Sequence, residues 1–213
     1  MDLQSTHSDL LNTNLRASSE DYHPLYQIST RASPTGGGTT TITKNLPGGE
    51  NSSQQIAQIE WHSFSPDVLR FESRGVNGDA KEYIGKVKTM STDRQFTSAK
   101  GHTYRWDGSV VRDVPSSLCI VCIEVIVLIQ IQLKSSTGDE VARWHRKYYG
   151  VIHKSHPGHL EISQELLRDV DLDEIVVTWA YCQALIQRRW QASTTAVTSA
   201  GVSAGVSVGV ALA

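Results

Sequence analysis

The chain has 213 residues, with 20 Lys and Arg against 22 Asp and Glu for a formal net charge of −2, and 39% of its residues are apolar. That length holds one domain with a substantial core, and the near-neutral balance argues against a general nucleic-acid binder, which carries a clear basic excess. The first twenty residues lack the basic start and apolar run of a secretory signal. Asp2, Asp9 and Glu20 argue against a mitochondrial presequence, so the expected location is cytoplasmic or nuclear and not secreted.

Residues 1–22 are polar and aperiodic and predict a disordered N-terminal tail, with a single domain over 23–190. Residues 24–30 read as a first strand, Ser33-Pro-Thr-Gly-Gly-Gly as a turn, and the β-branched run 39–43 as a second strand closed by Asn45-Leu-Pro-Gly-Gly. Between 56 and 64, Ala57, Ile59 and Trp61 alternate with Gln58, Glu60 and His62, the period of a strand with one wet face. Residues 68–71 follow as its hairpin partner across Ser65-Pro-Asp. Further short strands are predicted at 82–84, 94–97, 103–106, 141–146 and 160–162, separated by segments rich in Gly, Asn, Asp and Ser. Even spacing of short strands belongs to sandwiches and barrels.

The run SSLCIVCIEVIVLIQIQL at 116–133 admits several readings. As a membrane helix, 118–133 would extend about 24 Å, short of the roughly 30 Å hydrocarbon core, with Glu124 near its middle. As a strand, its odd positions are apolar while Glu124, Gln130 and Gln132 share the other face, which favours a strand over 126–133 lying on a core. Residues 117–125 then read as an extension, an insertion or translated intron. Cys119 and Cys122 form a C-x-x-C, but on a strand positions three apart face opposite ways, and no second pair completes a zinc site. They read, with Cys182, as free cysteines packed as small apolar side chains.

The segment DLDEIVVTWAYCQALIQRRW at 171–190 is apolar around its circumference for about three turns, a pattern for a helix enclosed by other structure. Its core side chains are expected to be Ile175, Val176, Trp179, Tyr181 and Leu185. Asp171 or Asp173 suits the first turn, and Arg188 and Arg189 suit the C-terminal end. The run Ile175-Val-Val-Thr is a poor helix former, so a final buried strand is the rival reading. The fold class expected is mainly β: an antiparallel β-barrel or wrapped sheet enclosing one hydrophobic C-terminal helix. Residues 191–213 are low in complexity and predict a disordered tail.

Pro24-Leu-Tyr-Gln-Ile-Ser-Thr, Thr40-Thr-Ile-Thr-Lys, Ile59-Glu-Trp-His, Thr103-Tyr-Arg-Trp, Val141-Ala-Arg-Trp-His and Ile175-Val-Val-Thr-Trp, in that order, resemble the landmarks of an uncharacterised domain family from basidiomycete fungi. That family is similar in layout to the tubby and LURP-one barrels, in which a closed antiparallel barrel surrounds a hydrophobic C-terminal helix. The resemblance covers roughly residues 23–190 and implies a fold, without catalytic residues to carry over. The barrel relatives bind phosphoinositides or remain unassigned.

Candidates for chemistry are few. His153, His156 and His159 form an H-x-x-H-x-x-H, but Pro157 and Gly158 break any helix that would align them, so a solvated loop is expected. Gly36 to Gly38 precede a strand and lack the Lys-Ser/Thr of a phosphate loop. No G-x-S-x-G elbow frames a nucleophile. Arg143, His145 and Lys147 share one strand face opposite Trp144 and, with Lys86, Lys88 or Arg105, suggest a basic patch for phosphate headgroups or an acidic partner. The expected function is a non-catalytic β-barrel module that binds anionic lipid or a protein partner, with no nucleic acid and no transmembrane span. An uncharacterised hydrolase or lipid-handling enzyme is the alternative. No catalytic residue, cofactor or metal is assigned.

Overall fold

The computed structural model describes residues 1–18, 23–33, 37–46, 52–88, 91–111, 128–146 and 157–205. Short segments with polar and apolar residues in alternation pair there into one antiparallel sheet. The first seven strands are β1 (Asp2–Ser5), β2 (Thr13–Ala17), β3 (Tyr26–Ala32), β4 (Gly38–Asn45), β5 (Ser53–Trp61), β6 (Val68–Phe71) and β7 (Val76–Asp79). A helical turn, α1 (Ala80–Tyr83), leads to β8 (Gly85–Lys86), β9 (Arg94–Thr97), β10 (Thr103–Val111), β11 (Leu128–Ser135), β12 (Glu140–His145) and β13 (His159–Ile162). Two helices follow, α2 (Leu166–Asp169) and α3 (Leu172–Gly205).

The sheet is two meanders joined at their oldest and youngest strands. From β1 the order runs outward to β7, and from β13, paired with β1 through Leu3↔Leu160, it runs back to β8. The expected tail at 1–22 is corrected by this pairing. Leu3 and Leu15 are fully buried, and the Met1 ammonium donates to the Ile162 carbonyl at 2.7 Å. Each strand is only four or five residues long. The pairing that holds β1 in the sheet comes from β13, far away in the chain, so local composition gave no sign of it.

The sheet is not closed into a barrel. Its edges, β7 and β8, do not pair with each other. Between them sits α1, where 82–84 had been expected to form a strand. The Asp79 carboxylate accepts from the Lys81 N–H at 2.8 Å and so caps a turn that buries Ala80 and Ile84 completely. The turn connects the two edge strands of the sheet. Within β5 a bulge opposite Ile42/Thr43 places both Ile56 and Ala57 inside, interrupting the simple alternation of that strand.

The helix α3 fills the space the sheet surrounds. Asp171 caps it, its carboxylate accepting from the Asp173 N–H at 3.4 Å while its carbonyl accepts from Ile175 N–H at 3.1 Å. Every residue from 174 to 182 is buried, on all sides of the helix, among them Ile175, Val176, Trp179 and Tyr181, while Leu185 is half-buried against the same core. The rival strand at 175–178 is thereby set aside, because enclosure overrides the poor helix propensity of Ile175-Val-Val-Thr. Strands on different sides of the wrap reach the helix. Trp144 of β12 packs on Trp179 at 4.9 Å, Trp61 of β5 stacks on Tyr181 at 5.5 Å, and Trp106 of β10 donates its Nε1–H to Thr178 Oγ1 at 3.0 Å. Arg188 and Arg189 are not at the helix end, since α3 continues to Gly205 through much of the expected C-terminal tail.

Of the apolar run at 116–133, β11 begins at Leu128, and Ile131 and Leu133 point inward, fully buried. Residues 117–127, with Cys119 and Cys122, lie outside the described residues. Among those described, no helix is long and apolar enough to cross a membrane.

Candidate functional site

The helix defines two ends of the molecule. At the cap end, where α3 begins, buried charges are matched. Asp173 accepts from the Tyr26 hydroxyl at 2.6 Å and from Lys44 Nζ at 2.8 Å. Glu174, fully buried, accepts from the Tyr83 hydroxyl and pairs with Arg74 at 3.2 Å. Burial raises the Glu174 carboxyl above its ordinary range, against the lowering effect of Tyr83 and Arg74, and burial likewise raises the phenols of Tyr26 and Tyr83. These groups tie β3, β4 and α1 to the first turn of the helix, and their location in the core makes them structural.

At the exit end, α3 leaves the sheet beside the loop between β5 and β6. Asp67, 8% exposed, closes this loop on itself, its carboxylate accepting from the His62 N–H at 3.0 Å and from Arg188 at 3.3 Å. His62 Nδ1 lies 2.9 Å from the Pro66 carbonyl, and Arg188 donates to the His62 carbonyl at 3.2 Å. The Arg188 guanidinium also lies 5.2 Å from the centroid of Trp61, itself stacked on Tyr181. On the next hairpin the chain passes so close that a Cβ at Gly37, whose φ is +102°, would lie 2.2 Å from the Trp61 carbonyl oxygen. At the tip of this braced loop stands Phe64, 102% exposed.

Charge at this end is less balanced than at the other. Arg31 near the end of β3, Lys86 at the end of β8, Lys88 in the following loop and Arg189 on α3 are all exposed. Arg31 lies across β4 from Glu60, next to Trp61, and Gly108, which accepts from the Thr92 hydroxyl at 3.2 Å and where a Cβ would lie 3.2 Å from Ile186, brings the β8–β9 loop to this part of α3. Among the described residues, none of these four cations pairs with a carboxylate. At the cap end Lys44, Arg74 and Lys100 all face acidic partners.

The residues suggested by sequence are only partly brought together. Arg143 and His145 share the outer face of β12 with Trp144 turned inward, but each meets a carboxylate: Arg143 pairs with Glu140 at 2.6 Å, and His145 Nε2 lies 2.9 Å from Glu161. His145 also stacks on His159, 4.5 Å between ring centroids, at the start of β13. Lys147, His153 and His156 fall outside the described residues. Arg105 lies on β10, two strands from β12 and opposite Lys134. Among the described residues no three His, Cys, Asp or Glu side chains cluster as metal ligands. Burial raises the Cys182 thiol, which leaves it neutral and sealed from any substrate. The braced loop was missed because Phe64 reads in sequence as the last residue of a strand, although Ser63-Phe-Ser-Pro-Asp is itself turn chemistry.

The sequence model of a family of unknown function, DUF6593, matches residues 8–189, and the chain belongs to that family. No curated protein and no solved structure matches it.

Proposed function

We propose that this member of the family is a non-catalytic module that adsorbs to anionic lipid surfaces through the end at which α3 leaves the sheet. The observation that carries this reading is the set of four exposed cations toward that end, Arg31, Lys86, Lys88 and Arg189, without carboxylate partners among the described residues. A basic residue near an anionic leaflet contributes about 1 kcal/mol, so four together favour adsorption by about three orders of magnitude in partitioning. The side chains of residues 174–182 of α3 occupy the interior of the sheet, which directs recognition to the outside. The likeness in layout to phosphoinositide-binding tubby-type barrels supports the same reading, and it belongs with a cytoplasmic setting, where anionic lipids face the protein. Of the patch expected on β12, Arg143 is already neutralised by Glu140.

The test is co-sedimentation of the full chain with vesicles of phosphatidylcholine alone and of phosphatidylcholine containing phosphatidylserine, over a range of salt. Binding confined to the anionic vesicles, weakening steadily as the Debye length falls to about 8 Å at 0.15 M, is expected. Absence of binding to either composition at low salt rejects the reading.

A further inference from the structure

We infer that Phe64 is a preformed insertion anchor, which enters the interfacial layer of the membrane when the exit end docks; this deepens the lipid-surface reading above and rests on it. Three observations support it. Phe64 is 102% exposed, whereas Leu46, 41% exposed at the cap end, is the only other exposed large apolar side chain among the described residues. An aromatic side chain carries a large apolar area whose burial is favourable, so leaving one wholly in water at a loop tip is a cost the fold does not offset by any contact of its own.

The loop that carries it is also braced. Asp67 ties His62 and Arg188 together, Pro66 is held by His62, and Arg188 rests on Trp61, so that both ends of the loop are anchored to the core helix while only residues 63 to 66 stand clear. A preorganised loop loses little backbone entropy on docking, which makes an aromatic on a braced loop a more effective anchor than one on a mobile loop.

The surroundings select the occupant. Exposed cations lie toward this end, Arg31 next to Trp61, Lys86 and Lys88 at the loop that reaches Ile186, and Arg189 on the same helix, a basic setting for an aromatic wedge that matches anionic headgroups over an apolar layer. From the same end α3 continues past Arg189 to Gly205 with no charged residue, and the sequence holds none from Trp190 to Ala213. Among the described residues the carboxylates near this end are offset, Asp67 by Arg188 and Glu60 by Arg70, with Asp93 standing in the loop of the two lysines.

The experiment uses the full chain and vesicles of phosphatidylserine in phosphatidylcholine, with and without brominated acyl chains. Phe64→Trp adds a sixth tryptophan to the five present, and its fluorescence is expected to be quenched by brominated lipid beyond the quenching of the wild type. Phe64→Ser, whose melting temperature should match the wild type because Phe64 touches nothing, is expected to bind about tenfold more weakly, by the same factor at every salt concentration. Apolar burial is not screened, so the salt slope stays that of the cationic rim. Wild-type binding that is salt-sensitive but unchanged by Phe64→Ser, with no added quenching in Phe64→Trp, overturns the anchor and leaves the electrostatic reading standing. Failure of the wild type to bind any vesicle overturns both and points to a protein partner.

Discussion

Trp144 and Trp179 pack with 4.9 Å between ring centroids at a tilt of 42°, so that a strand of the wrapped sheet and the helix inside it share one aromatic contact. Neither ring is more than 3% exposed. Trp179→Ala removes this contact from the centre of the core and is expected to destabilise the domain by about 3–5 kcal/mol, enough to unfold it in part at room temperature. Urea melts followed by circular dichroism measure it, and a change below 1 kcal/mol would mean that the helix is peripheral to the fold.

Asp67→Ala removes the acceptor shared by the His62 N–H and Arg188. Leaving these donors unsatisfied is expected to cost about 1–3 kcal/mol. Arg188→Ala should cost less, and the double variant should fall short of the sum because both changes open the same loop. Thermal melts of the three variants check this; strict additivity would show that the two side chains do not act together.

Burial raises the carboxyl of Glu174, so the sign of its linkage to folding is that of a group whose folded form holds its proton more tightly than the unfolded one. Its contribution is present in full below the ordinary carboxylate range and is lost as pH rises through the raised folded value. Glu174→Gln keeps a neutral acceptor for the Tyr83 hydroxyl and removes that titration. The stability of the wild type relative to Glu174→Gln is therefore expected to fall as pH rises upward from the ordinary carboxylate range. A difference that is constant with pH would show that Glu174 titrates alike in the folded and unfolded states, and one that rises with pH would show that Tyr83 and Arg74 hold the carboxylate charged throughout.

What the sequence made legible follows from the reach of its signals. Alternation identified β5 from Ala57, Ile59 and Trp61, and the all-round apolar face of 174–182 identified an enclosed helix. The strands of the first seventeen residues were hidden because Leu3 and Leu15 owe their burial to partners across the sheet, one of them near residue 160. The turn at 80–83 was read as strand because Tyr83 and Ile84 have strand propensity, and the deciding term was the Asp79 cap. The site was legible only as charge. Lys86 and Lys88 stand out in the sequence, but the approach of their loop to α3 at Ile186 depends on the path of the helix, and the neutralisation of Arg143 depends on Glu140, three residues away across a bulge in β12.

The claim that the exit end is the binding end is tested most directly by comparing two variants of equal net charge. In the first, Arg31, Lys86, Lys88 and Arg189 become Gln; in the second, four cations already paired with carboxylates, Arg70, Lys100, Lys134 and Arg143, become Gln. Partition coefficients on phosphatidylserine-containing vesicles at 0.1 M salt should fall by about a hundredfold or more for the first, with a shallower salt dependence, and far less for the second. Equal losses in the two variants, or wild-type binding by the first, would contradict the assignment.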